Sequence, residues 1–124
     1  MLKKLSLLTA MACLLSGCNT TWETSNFTLA SAKPLDFTKH KYKVGKEVEG
    51  TSFGPVILTL GAPMRYGNPT INDAVNNAVQ QEKCAVGLTN MSAQLVDRHF
   101  GFGNWGWIVK GNLLLDTTKP GCNN

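Results

Sequence analysis

The chain has 124 residues, with 12 Lys and Arg against 8 Asp and Glu, a net charge of +4 at pH 7 and 43% apolar content. That length is enough for one domain, and the apolar share with its modest charge excludes a disordered or collagen-like chain. No segment is apolar over the roughly 20 residues that a membrane-spanning helix needs.

The first element in chain order is a secretory signal: Lys3 and Lys4, an apolar stretch from Leu5 to Leu15, then small residues. It ends in Leu15-Ser16-Gly17-Cys18, which has the form of a lipobox, and the segment closely resembles the signals of bacterial lipoproteins. The resemblance implies that residues 1–17 are removed, that the Cys18 thiol carries a diacylglyceryl group and that Cys18 becomes the first mature residue. A thiolate is the side chain nucleophilic enough near neutral pH to form such a thioether. Two or three acyl chains make a durable anchor where one is marginal. Asn19, in the place where aspartate favours inner-membrane retention, points to the outer membrane facing the periplasm.

Loss of Lys3 and Lys4 leaves ten basic residues against eight acidic ones, and an exported protein has no nucleic acid to bind. Residues 18–43, rich in Thr, Ser, Asn and Lys without a sustained period, read as the lipidated cysteine and a flexible tether with a short extended piece docked on the domain. Lys39, Lys41, Lys43 and Lys46 read as a solvated linker end, with anionic headgroups or peptidoglycan carboxylates as the functional alternative. Residues 44–124 then form one small periplasmic domain.

Within that domain, Lys46 to Phe53 and Val56 to Leu60 are strand candidates on either side of Gly54-Pro55, separate or joined as one bent strand. Ile71, Ala74, Val75, Ala78 and Val79 fall on one helical face. Thr70 with Asp73 supplies a capping-box-like start, so a helix is expected from there to about Glu82 or Lys83. Its stripe of small residues predicts close packing on a sheet, and its Asn- and Gln-rich face is expected in solvent. A strand from Val86 to about Arg98 changes the parity of its apolar positions between Leu88 and Met91, which predicts a bulge near Asn90. The last strand puts Trp105, Trp107, Val109, Leu113 and Leu115 on one face, opposite Lys110, Asn112 and Asp116. The expected fold is α+β: a small antiparallel sheet, strand-helix-strand-strand, with one helix packed on one face.

Cys84 and Cys122, in an oxidising compartment, are expected to pair. Between the last two strands, Gly101-Phe102-Gly103-Asn104-Trp105-Gly106 spells G-x-G-x-x-G, but a strand-like segment follows it where a dinucleotide fold needs a helix. Phe100, Phe102, Asn104, Trp105 and Trp107 are the candidate partner-binding residues; covering of the sheet core is the preferred role for the two tryptophans and an equal alternative for Phe102. His40 and His99 have no recognisable nucleophile and carboxylate arrangement, and metal-ligand spacing is lacking, so no catalytic residue, metal or cofactor is assigned.

Val44 to Leu115 resembles the small lipoprotein domains of the TRL-like kind. The likeness rests on the glycine-broken strand Glu49-Gly50-Thr51-Ser52-Phe53-Gly54, on Val86-Gly87-Leu88-Thr89-Asn90 and on Ile108-Val109-Lys110-Gly111. More distantly, the chain is similar to the Rcs envelope-stress sensor lipoprotein. That protein has four structural cysteines where this chain offers two, so its signalling role is not carried over. The expected function is a non-enzymatic envelope lipoprotein presenting a protein-interaction domain, as an accessory or sensor. The alternatives are a peptidoglycan or small-ligand binding module and, third, a small hydrolase.

Overall fold

The computed structural model describes residues 18–31 and 33–123. Residues 1–17, with the signal and Leu15-Ser16-Gly17, lie outside the described residues. The elements are β1 (Cys18–Ala30), β2 (Tyr42–Thr59), β3 (Ala62–Arg65), α1 (Ile71–Val79), β4 (Ala85–Phe100) and β5 (Phe102–Asp116). One antiparallel sheet runs in the order β1-β4-β5-β2-β3, and α1, the one helix among the described residues, lies against one face, an α+β fold as expected.

Helix α1 begins where its capping residues put it. Thr70 is extended, and its hydroxyl accepts from the Asp73 amide at 3.1 Å and donates to the Asp73 carboxylate at 2.7 Å. Ala74, Val75 and Ala78 are buried against Val48, Leu88, Met91, Ala93, Val109 and Leu113. The helix ends at Val79, earlier than expected. The amides of Gln81 and Glu82 bond to Ala78 and Val79, three residues back, so the last turn tightens and ends.

The Asn- and Gln-rich face is also more than a solvated surface. Asn77 Nδ2 donates to the Thr51 carbonyl at 2.7 Å and Gln81 Nε2 to the Glu49 carbonyl at 2.6 Å. Beyond the short β3, this edge of β2 has no strand beside it among the described residues, and Asn77 in the helix and Gln81 just past its end supply donors instead. The spacing matches because four helical residues rise about 6 Å and two strand residues about 6.6 Å.

The two segments flanking Gly54-Pro55 are one continuous strand, β2. Two strands go beyond the expected set, although a short docked piece of the tether was expected. The first is β3, Ala62-Pro63-Met64-Arg65, a short edge strand where proline is tolerated. The second is β1, which occupies half of the expected tether. It pairs antiparallel with β4 from Cys18 opposite His99 to Ala30 opposite Leu88, with a register shift between Glu23 and Ser25. An edge strand can be polar along much of its length, and the shift breaks its alternation. The bulge in β4 is present: the β4–β5 register shifts between Thr89 and Ser92, and Asn90 has φ 49°. On β5, Val109 and Leu113 face the core with Trp107 and Leu115 packed beside them, but Asp116, expected outward, is buried.

The sheet therefore has two distinct ends. Cys18, the β4–β5 turn at Gly101 and the β2–β3 turn at Leu60-Gly61 share the near end. Tyr42, Ala85, Asp116 and the Cys84–Cys122 disulfide, with Cα atoms 5.7 Å apart, lie at the far end. Fourteen residue steps along β5 place the two about 45 Å apart. Among the described residues no helix is long and apolar enough to cross a membrane.

Candidate functional site

The expected interaction set divides along the strand. Phe100 and Phe102 flank Gly101, whose φ of +72° makes the tight reversal possible, and both rings are exposed. Asn104 is exposed as well. Trp105 and Trp107 point to the helix face instead. Trp107 packs against the core, and the Trp105 indole N–H donates to the Tyr66 carbonyl at 3.1 Å, holding the segment between β3 and α1 against the sheet. The G-x-G-x-x-G run leads into β5, which continues to Asp116.

Beside these tryptophans lies an ion pair that sequence reasoning missed. Asp97 is buried and is bonded by Arg65, from Nε at 2.8 Å and also from Nη2. His99 Nε2 stands 3.7 Å from its other oxygen, Oδ1, which has no hydrogen-bond partner among the described residues. The two arginine bonds compensate the burial of the carboxylate. Arg65 and Asp97 are 32 positions apart, and nothing local marks the pair.

A second cluster, at the far end, lines a cleft of about 560 Å³ between the 33–42 segment, the end of α1 and the start of β4. Its rim carries Lys33, Lys83 and Lys119, none of which forms an ion pair among the described residues. Its floor is partly apolar, with Leu35, Val79 and Val86. Three carboxylates line it, Asp36, Glu82 and Asp116, and the two aspartates are each folded into the same local turn. Asp36 Oδ1 accepts from the Thr38 amide at 2.9 Å and hydroxyl at 2.6 Å, and Asp116 Oδ1 from the Thr118 amide at 2.9 Å and hydroxyl at 2.5 Å. These bonds, the threonine hydroxyl's above all, hold both carboxyls below their ordinary value of 3.8. The repeated Asp-x-Thr spacing was the sequence signal for these turns.

His40 closes this cluster, with Nδ1 2.9 Å from Asp116 Oδ2 and 2.8 Å from Thr118 Oγ1. A catalytic relay places the carboxylate on one ring nitrogen and the nucleophile on the other. Here both contacts fall on the same nitrogen, an arrangement that fixes the 36–42 segment to the end of β5 rather than activating a hydroxyl. Among the described residues no group of three or more His, Cys, Asp or Glu side chains is placed to hold a metal ion.

The lysines of the 39–46 stretch lie at this same far end. Lys39 pairs with Asp36 at 3.8 Å, and Lys43 is opposite Leu115 near the end of β5. Cys18 is at the other end, as the first residue of β1. Comparison with known proteins adds no relative: no family model matches the chain, and no curated protein or solved structure is significantly similar to it.

Proposed function

We propose that this chain is a non-enzymatic envelope lipoprotein, held to the membrane by acylated Cys18, that presents its far-end cleft to an acidic segment of a protein partner. The observation that carries the reading is the separation of the two ends: Cys18 starts β1 opposite His99, and the lysine-rimmed cleft opens at the other end of the sheet. Lys33, Lys83 and Lys119, which form no ion pair among the described residues, over a partly apolar floor suit a segment that combines carboxylates with a few apolar side chains. The likeness of the glycine-broken strand to TRL-like lipoproteins points to the same class. Peptidoglycan carboxylates are a second reading, favoured by Lys39, Lys41, Lys43 and Lys46 at the same end.

The test places p-benzoylphenylalanine at Gln80 and Lys119 in the full chain and identifies the photo-adducts formed in living cells by mass spectrometry. A protein adduct that disappears in a Lys33→Glu, Lys83→Glu background is the expected result. Adducts to glycan strands alone overturn the protein reading in favour of peptidoglycan, and no adduct at either position overturns both. For the anchor, Cys18→Ala should abolish palmitate labelling and release soluble protein. Label retained in that variant overturns the assignment.

A further inference from the structure

The near end carries a concentration of exposed apolar side chains that neither the core nor the cleft uses. Leu60 and Phe102 are 108% and 80% exposed, and Phe100 is 59% exposed, with Ile57, Leu58 and Met64 also exposed. These side chains belong to two turns that stand side by side. Ile57 is opposite Phe102, and the Leu58 amide donates to the Gly101 carbonyl at 2.6 Å. The β2–β3 turn extends past the β4–β5 turn, so Leu60 is at the extremity.

Three further observations say what covers this surface. Cys18 is opposite His99, one residue before Phe100, and adjacent strands run about 4.8 Å apart, so the point of acylation lies beside the apolar tip. The charges agree: across residues 53–66 and 97–106 the one acidic residue is Asp97, buried and bound by Arg65, while Arg98 is exposed. That balance suits an anionic lipid surface. Finally, the β2–β3 turn is built with the wrong residue for folding alone. Leu60 and Gly61 both have positive φ, 48° and 82°, in a two-residue hairpin loop. Asparagine is preferred at the first of these positions, and a leucine there costs backbone strain while leaving its side chain in water.

We infer that the two turn tips insert into the bilayer surface beside the acyl chains, so that the domain stands on the membrane with a defined orientation instead of hanging from a tether. Leu60 and Phe102 enter the acyl boundary, Arg98 meets headgroup phosphates, and β1 links anchor and sheet without slack. The inference rests on the reading of Cys18 as the lipidated residue. It also explains why the cleft at the other end is the part presented to the periplasm.

Photo-crosslinking of the full chain in cells tests it, with p-benzoylphenylalanine at Leu60 or Phe102 and, for comparison, at Gln80 or Lys119. Adducts of phospholipid mass are expected at the first two positions and not at the second two. Adducts at Leu60 and Phe102 to protein, a second copy of this chain included, or equal lipid adducts at both ends, overturn the inference. Leu60→Asn supplies a variant that does not threaten the fold: it should raise the melting temperature and lower the lipid adduct yield at Phe102. An unchanged yield counts against insertion. Palmitate labelling keeps the two readings apart. Label without lipid adducts at the tips overturns insertion alone, and adducts without label overturn the Cys18 anchor alone.

Discussion

Gly50 is the residue on which the helix rests. A Cβ at this position would stand 2.1 Å from the Ala74 carbonyl oxygen and 2.7 Å from the Ala78 Cβ, both in or beside backbone that α1 cannot bend locally. The whole helix must lift to accept it, so Gly50→Ala should cost about 1–3 kcal/mol, read as a lowered melting temperature in the purified protein. A melting temperature unchanged from wild type would mean that α1 is seated more loosely than this contact implies. Asp36 and Asp116 set a different limit, in pH. Hydrogen bonds from Thr38 and Thr118 depress both carboxyls below 3.8, so each contributes stability that is fully present above that value. The contribution is lost as pH falls through the lowered folded values. Calorimetry should find the melting temperature falling below about pH 4, with a shallower fall in Asp36→Asn, Asp116→Asn. An identical slope in that variant would assign acid sensitivity to other carboxylates.

Between helix and strand, the packing includes polar bonds as well as apolar contacts. Asn77 and Gln81 satisfy two carbonyls on the edge of β2, the edge that would otherwise be open to pairing with another chain. Asn77→Ala with Gln81→Ala should lose about 2 kcal/mol in chemical denaturation, about half from each bond. Faster exchange of amides along residues 46–53 should accompany it. A variant as stable as wild type would return these residues to a solvated face. The elements legible in the sequence are those whose burial is one-sided. Helix α1 shows its apolar stripe and its Thr70 cap, and β4 shows its bulge because Leu88 and Met91 must both reach the core across one extra residue. Edge strands lack that imprint. In β1, Phe27 and Leu29 are 40% exposed, and in β3 all four residues are exposed, so the described side chains of these strands show no alternation of buried and exposed positions. The site is legible to the same extent. Phe100 and Phe102 stood out as aromatic residues around glycines, whereas the cleft is assembled from segments far apart in sequence and needed the fold to bring them together.

For the molecule as a whole, the two ends are stabilised differently. At the near end, the strands run straight into turns beside Cys18. At the far end, the last residues after β5 have no strand to join and are tied to the start of β4 by the disulfide and by the Asp116 amide bonded to the Cys84 carbonyl. The crosslink spans a sequence separation of 38, which in the chain-entropy view destabilises the unfolded chain by about 4 kcal/mol. Small domains keep a net stability of about 5–15 kcal/mol, so this single bond is a large share of what holds the sheet folded. Cys84→Ser with Cys122→Ser should therefore lower the melting temperature by about 15–30 °C. Each single substitution should cost nearly as much as the pair, because either one opens the loop. Lys83 and Lys119 flank this crosslink on the rim of the cleft, so its loss should also weaken the proposed partner capture at Lys119 before the domain unfolds. A fall of less than about 4 °C would place the stability of the far end in the strand pairing and the His40–Asp116 contact instead of the bridge.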